Sequence, residues 1–122
     1  MTTHNQTVGR LGERLAEDYF VALDSELLER NYHVDYSEID LLLKHEGDLV
    51  AVEVKTRDVG DLEQPEEALR WAQLQRIARG LETYAMDNDL LDMPFRIDVV
   101  LIVLEPDGSV LRFEHLRSVY PG

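Results

Sequence analysis

The sequence predicts a single α/β domain, residues 1–122, in which helices flank a mixed β-sheet. Two segments carry apolar residues at helical spacing, and five others are short apolar runs of strand length. Their order is α-β-β-β-α-β-β, so the strand after the second helix arrives by a crossover and lies parallel to an earlier strand. A chain of 122 residues that is 44% hydrophobic is long enough to bury one core. Residues 1–6 are expected to be flexible.

The first helix is predicted over residues 7–24, with Thr7 as its N-cap. Its apolar residues recur at helical spacing and include Leu11, Leu15, Tyr19 and Ala22. Gly9 and Gly12 are poor helix formers, each costing up to about 1 kcal/mol against Ala. We expect these glycines to allow close approach of another backbone or of a ligand.

Three strands are predicted next, over residues 26–34, 38–44 and 49–56. The stretch His45–Asp48 is typical of a hairpin turn, in which Gly47 takes a positive φ. The third strand is nearly all apolar, so we expect it to be covered on both faces. Charged side chains inside such a strand need an explanation.

A second helix is predicted from Pro65, which suits the first helical turn, to about Met86. Two further strands, residues 95–104 and 110–115, are separated by the turn Pro106-Asp-Gly108. The apolar stripe of the second helix consists of Leu74, Ile77, Ala78, Leu81 and Tyr84.

The chain is strongly acidic, with 25 Asp and Glu against 12 Lys and Arg and a net charge of −13. This argues against a protein that coats nucleic acid, although a nuclease cleft can be basic locally or neutralised by a metal. The absence of Cys excludes disulfides, thiolate metal sites and Cys nucleophiles. A polar N-terminus and the lack of any run of about 20 apolar residues predict a cytoplasmic protein without membrane contact.

A charged cluster lies on the second and third predicted strands. Residues two apart on a strand project to the same face, so Glu38 projects with Asp40, and Glu53 with Lys55. If the two strands pair as a hairpin, three carboxylates and one ammonium converge. Because grouped carboxylates repel one another, a divalent metal and a phosphate substrate would justify the cluster.

Asp40 and Glu53 supply the oxygen ligands that Mg²⁺, or Mn²⁺, takes together with a substrate phosphate. Lys55 would position the attacking water or stabilise the charge that develops at phosphorus. Taken alone, a Glu-x-Lys pair is more often a solvated or cross-strand ion pair. Glu38 is either a further ligand or simply the first residue of its strand.

Other polar residues have a weaker signal. Glu13 reaches the metal only if its helix packs close to the sheet. Arg57, Gln73 and Arg76 are candidates for phosphate contacts, with a solvated polar face as the alternative. The histidines lack metal-ligand spacing and are expected on the surface; they are His4, His33, His45 and His115.

Six motifs are spread along the chain: Gly9-Arg-Leu-Gly-Glu13, Arg30-Asn31, Glu38-Ile-Asp40, Val52-Glu-Val-Lys-Thr-Arg57, Pro65-x-x-Ala68 and Arg96-Ile-Asp-Val-Val100. In order and spacing they resemble the bacterial YraN family of uncharacterised proteins, over nearly the whole chain. That family is assigned by similarity to the PD-(D/E)xK nuclease-like superfamily, close to archaeal Holliday-junction resolvases. The resemblance implies a restriction-endonuclease-like αβββαβ core.

Carried over residue by residue, the resemblance implies that Asp40 is the metal-binding Asp, Glu53 the second acid and Lys55 the catalytic Lys. Glu13 matches the first-helix acid of resolvase-like members. Asp98 lies in a family motif without an implied role, and we expect strand-end packing or a hydrogen bond to the neighbouring arginine.

Four positions depart from the family pattern. The family often has Lys where Gln73 stands, Arg where His33 stands, and Gly where Ser37 and Gln64 stand. These changes remove positive charge and flexibility around the expected cleft. Two functions are favoured: an endonuclease-like, metal-dependent phosphodiesterase acting on DNA, including branched DNA, or a catalytically silent nuclease-fold module for nucleic-acid or protein interaction. A third, an acidic partner-binding protein unrelated to nucleic acid, is disfavoured by the resemblance. A resolvase-like activity would imply a homodimer.

Overall fold

The computed structural model describes residues 3–61 and 70–120. The elements follow the predicted order: α1 (His4–Ala22), β1 (Glu26–Val34), β2 (Ser37–His45), β3 (Asp48–Asp58), α2 (Trp71–Asp87), β4 (Phe95–Leu104) and β5 (Val110–Leu116). Among these residues the strands form one five-stranded sheet in the order β1-β2-β3-β4-β5. No helix of the described ranges is long and apolar enough to cross a membrane.

The sheet is mixed, as predicted. Strands β1, β2 and β3 form an antiparallel meander, β4 pairs with β3 in parallel, and β5 returns antiparallel to β4. Helix α2 provides the crossover that a parallel pair requires. The αβββαβ core expected from the sequence is confirmed.

The two helices cover opposite faces of the sheet. One apolar cluster joins α1 to the sheet and includes Val8, Ala16, Phe20, Val50 and Val52. The other joins α2 to the sheet and includes Leu42, Ala51, Leu74, Ile77 and Leu81. Strand β3 contributes to both clusters, so it is covered on both faces, as its apolar sequence predicts.

Helix α1 begins earlier than predicted. Thr3, not Thr7, is the N-cap: its hydroxyl accepts the N–H of Gln6, and the Gln6 side chain accepts the N–H of Thr3. This capping box satisfies two N–H groups that have no intrahelical partner. Residues 1–2 of the segment predicted to be flexible lie outside the described residues, whereas its other residues form this capped start.

Helix α2 begins at Trp71. The predicted start at Pro65 lies outside the described residues, and so does Gln64. The prediction of a helix continuous from Pro65 is wrong at Arg70, whose extended backbone marks the N-cap position. The apolar stripe is confirmed, with Leu74, Ile77, Leu81 and Tyr84 buried.

The two glycines of α1 differ in their surroundings. A Cβ at Gly12 would lie 1.8 Å from Thr56 Oγ1, so helix and sheet meet at this point. The close approach predicted for Gly12 is confirmed. The prediction for Gly9 is wrong, because a Cβ there would meet no atom within 4 Å.

Two histidines predicted on the surface are covered by partners distant in sequence: His45 is buried and His115 is partly buried. The His45 ring, 5% exposed, bonds to Ser25 Oγ at 2.6 Å. The His115 ring bonds to Asp98 Oδ2 at 2.7 Å and to Tyr19 Oη at 2.9 Å. The surface prediction is confirmed for the remaining two, His4 and His33.

Asp98 is fully buried, and its carboxylate forms hydrogen bonds with an arginine, a histidine and a backbone N–H. Arg96 Nε donates to its carboxylate at 3.0 Å, as predicted, and the Ser118 N–H donates at 3.0 Å beside His115. Burial alone would raise the pKa of Asp98, but these hydrogen bonds together hold it below its ordinary value. Asp98 therefore ties β4, β5 and the C-terminal segment together.

Candidate active site

Strands β2 and β3 separate where the charged cluster begins. Their ladder runs from His45–Asp48 to Leu41–Val52. The same register, continued one step, sets Asp40 opposite Glu53. At that step the Asp40 carboxylate accepts the Val54 N–H at 2.8 Å. A side chain thus occupies the place of a ladder carbonyl, and the two acids meet at the opening.

The alternation of β2 changes at Asp40. Ile39 and Leu42 pack on the α2 side, whereas Leu41 and Leu43 pack on the α1 side. Regular alternation would place Ile39 and Leu41 on the same face. The change of face at this point is consistent with the Asp40 side chain turning towards β3, where it meets the Val54 N–H.

Asp40 and Glu53 are acids in a poorly hydrated place. Glu53 is buried and Asp40 partly buried. Burial, followed by the repulsion of Glu53, raises the pKa of Asp40 to about 8. Burial also raises the pKa of Glu53, although Lys55, Gln73 and Asp40 act in the opposite direction. The two neighbouring carboxyl groups repel each other when both are ionised, and burial makes their charged forms still less favourable. A divalent cation would offset both effects.

Lys55, Glu53 and Gln73 form a closed triangle of contacts. Lys55 Nζ lies 3.1 Å from Glu53 Oε1 and donates to Gln73 Oε1 at 3.2 Å. Gln73 Nε2 donates to Glu53 Oε1 at 3.1 Å. The amide from the first turn of α2 therefore fixes both strand residues. Gln73, expected to contact phosphate, lies within the cluster itself.

Asn31 links the two outer acids, a role that sequence reasoning missed. Its Nδ2 donates to Glu13 Oε1 at 3.0 Å and to Glu38 Oε1 at 3.4 Å. Both glutamates contribute to the raised pKa of Asp40, so they lie near it. Asn31 has φ 46°, a left-handed conformation that Asn tolerates. The Arg30-Asn31 motif was the feature of the sequence from which a role for Asn31 could have been predicted.

The predicted arginines lie outside this cluster of acids. Arg57 donates to the Thr56 carbonyl and lines a groove of about 540 Å³ beside the start of α1. Arg76 lines a second groove, of about 290 Å³, beside the β1–β2 turn. Each groove is open to solvent and adjoins an element that supports the cluster.

Among the described residues, two side chains are placed to bind a metal at this site. Within residues 3–61 and 70–120, no three His, Cys, Asp or Glu side chains are placed to hold an ion together. The adjacent carboxylates of Asp40 and Glu53 remain. They fit Mg²⁺, which prefers oxygen ligands, retains waters and often takes one or two carboxylates plus a substrate phosphate. An ion caged by protein alone does not fit this donor set.

Known proteins match the span that contains these residues. The sequence model of the "Uncharacterised protein family UPF0102" matches residues 12–102. A UPF0102 protein of Dictyoglomus turgidum is 33% identical over 117 residues, which cover 96% of this chain and 99% of that protein. One of Porphyromonas gingivalis is 34% identical over 121 residues, covering 99% and 88%. One of Oleidesulfovibrio alaskensis is 38% identical over 113 residues, covering 90% and 56%.

Proposed function

The chain belongs to the UPF0102 family, the family that its YraN-like motifs predict, and we propose that it is a metal-dependent, endonuclease-like phosphodiesterase of the PD-(D/E)xK type that acts on DNA. One observation supports this most strongly: Asp40 and Glu53 meet where β2 and β3 separate, with Lys55 held 3.1 Å from Glu53. A structural ion pair would need only one of these acids. The second acid raises the electrostatic cost of the cluster, and the hydrogen bond that Asp40 accepts from the Val54 N–H does not need a charged side chain.

Each residue of the cluster has a role in this proposal. Asp40 and Glu53 would hold Mg²⁺ or Mn²⁺, and the bound ion would supply an activated water and neutralise phosphate charge. Lys55, beside Glu53, would favour the negative charge that develops at phosphorus. Gln73 fixes Lys55 and Glu53 against each other. Positioning of this kind is the main contribution that a protein makes to phosphoryl chemistry.

The outer residues support the site and the substrate. Glu13 and Glu38, joined by Asn31, place two further carboxyl groups at the rim, where they would accept hydrogen bonds from water. Arg57 and Arg76, one in each flanking groove, bind phosphates of the DNA on either side of the cluster. Because resolution of a four-way junction requires two cuts, activity on that substrate implies a homodimer, which sedimentation would detect.

A second function is supported by the overall charge. With a net charge of −13, the chain repels polyanions outside its local arginines. Gln73 also stands where a Lys is frequent in the family that the motifs resemble. These features favour a catalytically silent nuclease-fold module that binds nucleic acid or protein. The same experiment separates the two functions.

The experiment measures cleavage of linear, flapped and four-way DNA with Mg²⁺ or Mn²⁺. Asp40→Asn and Lys55→Ala are expected to abolish cleavage. Lys44→Ala is the matched control, because Lys44 is the other lysine of the chain and pairs with Glu26 at 3.8 Å. Cleavage that survives both site substitutions would overturn the site. Metal binding by calorimetry without cleavage of any substrate would support the silent module.

A further inference from the structure

The turn between β1 and β2 presents an aromatic ring to solvent. Val34 pairs with Ser37, so the turn consists of Asp35 and Tyr36, and Asp35 has the positive φ of 53° typical of such turns. Tyr36 is 95% exposed. A large aromatic side chain with so little contact to its own protein does not stabilise the fold, so its presence needs another reason.

Helix α2 packs directly against this turn. A Cβ at Gly80 would lie 2.8 Å from Val34 Cγ1 and 3.3 Å from Ser37 Oγ, so only glycine allows this approach. The groove of about 290 Å³ between the helix and the turn is lined on the helix side by Arg76 and Arg79. On the turn side it is lined by Asp35, Tyr36 and Ser37.

The groove has unused hydrogen-bonding capacity. Arg76 and Arg79 are exposed, and neither forms an ion pair with a carboxylate of the described ranges. Ser37 Oγ is buried and has no hydrogen-bond partner among those residues. A buried hydroxyl without a partner is costly unless a ligand completes it. Two guanidinium groups and one hydroxyl together suit a phosphate.

This groove adjoins the candidate active site. Gln73 of the cluster and Arg79 are six residues apart on α2, about 9 Å along the helix axis. Ser37 directly precedes Glu38 on β2. The groove therefore lies within one or two nucleotides of a phosphate bound at Asp40 and Glu53.

We propose that this groove holds an unpaired nucleotide of the DNA substrate, next to the scissile phosphate, an inference that rests on the proposed function. The base stacks on Tyr36, and Arg76, Arg79 and Ser37 Oγ bind its phosphate. The faces of paired bases are covered by their neighbours in a duplex, so an exposed ring selects single-stranded segments. Asp35 at the rim repels phosphate on the far side and keeps the strand against α2.

The test measures the affinity of the Lys55→Ala protein, which keeps both proposed metal ligands, in Mg²⁺ for a labelled single-stranded oligonucleotide and for a blunt duplex of the same sequence. Tyr36→Ala should weaken single-strand binding about tenfold, whereas Tyr36→Phe, which keeps the ring, should not. Arg76→Gln with Arg79→Gln should reduce the salt slope by about 1.4. Arg117→Gln is the matched control, because Arg117 pairs with Glu46 at the opposite end of β2.

Duplex affinity should be unchanged by Tyr36→Ala. Equal single-strand affinity of Tyr36→Ala and its parent would overturn the inference, and cleavage by the wild type would still stand for the proposed function. Failure of both oligonucleotides to bind would overturn both. A Tyr36-dependent complex with a protein in place of DNA would also overturn the inference.

Discussion

The Asp40 carboxylate accepts the backbone N–H of Val54 at 2.8 Å, in the place where a strand carbonyl would stand if β2 and β3 remained paired. The acid is therefore positioned by a hydrogen bond from the main chain. This hydrogen bond favours the charged form of Asp40, but burial and the neighbouring carboxylates outweigh it. The backbone fixes the position of the Asp40 side chain, while the negative charge of Asp40 stays unfavourable at this position.

Replacement of Asp40 by Asn should stabilise the protein in the absence of metal. Asn keeps the oxygen that accepts the Val54 N–H and removes the buried charge. The pKa of Asp40 is about 8 against an ordinary 3.8, so at pH 8 the gain should be several kcal/mol and at most about 5 kcal/mol. Urea denaturation measures it, with the exposed Asp18→Asn as control. A stability equal to or below that of the wild type would contradict this prediction.

The stability of the wild-type protein should fall as pH rises from about 4 to about 8. Unfolded Asp40 loses its proton near its ordinary pKa, whereas folded Asp40 keeps it until about pH 8. The folded state therefore binds more protons in this window, and stability declines with pH. The raised pKa of Glu53 adds an effect of the same sign. The difference in unfolding free energy between wild type and Asp40→Asn, measured from pH 5 to 8, should grow steadily; a constant difference would contradict this.

Mn²⁺ or Mg²⁺ should stabilise the folded wild-type protein at pH 8. An ion that binds only the folded state adds about 2.7 kcal/mol at 100 times its Kd. Asp40→Asn and Glu53→Gln should each lose most of this increment, because the ion rests on that pair. Thermal unfolding with and without the metal chloride measures the shift. The exposed Asp18→Asn should retain the full shift, and equal shifts in all four proteins would show binding elsewhere.

Gly12→Ala should destabilise the protein, and Gly9→Ala should not. The new Cβ at position 12 would overlap Thr56 and force α1 away from β3, a cost of about 1–3 kcal/mol. At position 9 the Cβ meets open space, so the better helix propensity of Ala should stabilise by up to about 1 kcal/mol. Chemical denaturation of the two variants provides the comparison. A similar effect of both substitutions would contradict the close approach.

The element order was predictable because it depends on local patterns. Helical and strand periodicities are properties of neighbouring residues, and the crossover follows from their order. The meeting of Asp40 and Glu53 was predictable for the same reason, since a hairpin on His45–Asp48 brings them together. The position of the N-cap required a choice between Thr3 and Thr7. Thr3 is favoured because the Gln6 side chain, three residues later, accepts the Thr3 N–H and completes a capping box.

The remaining features depend on contacts distant in sequence. His45 is buried and His115 is partly buried, because Ser25, Asp98 and Tyr19 satisfy their rings. No local pattern indicates such partners. Gly9 and Gly12 look alike in the sequence, but only one faces Thr56. Asn31 lies on the edge strand β1 and has a left-handed backbone conformation. Its side-chain amide donates from there to Glu13 on α1 and to Glu38 on β2.

The register of the β2–β3 ladder determines where Asp40 and Glu53 lie relative to each other. Because strand side chains alternate with a period of two, deleting one residue from either strand would turn Asp40 or Glu53 to the opposite face. A single-residue insertion or deletion within the paired residues 41–45 or 48–52 would therefore disrupt the site. Length can vary at the surface turn of residues 106–108 between β4 and β5, where an added residue leaves both acids in place.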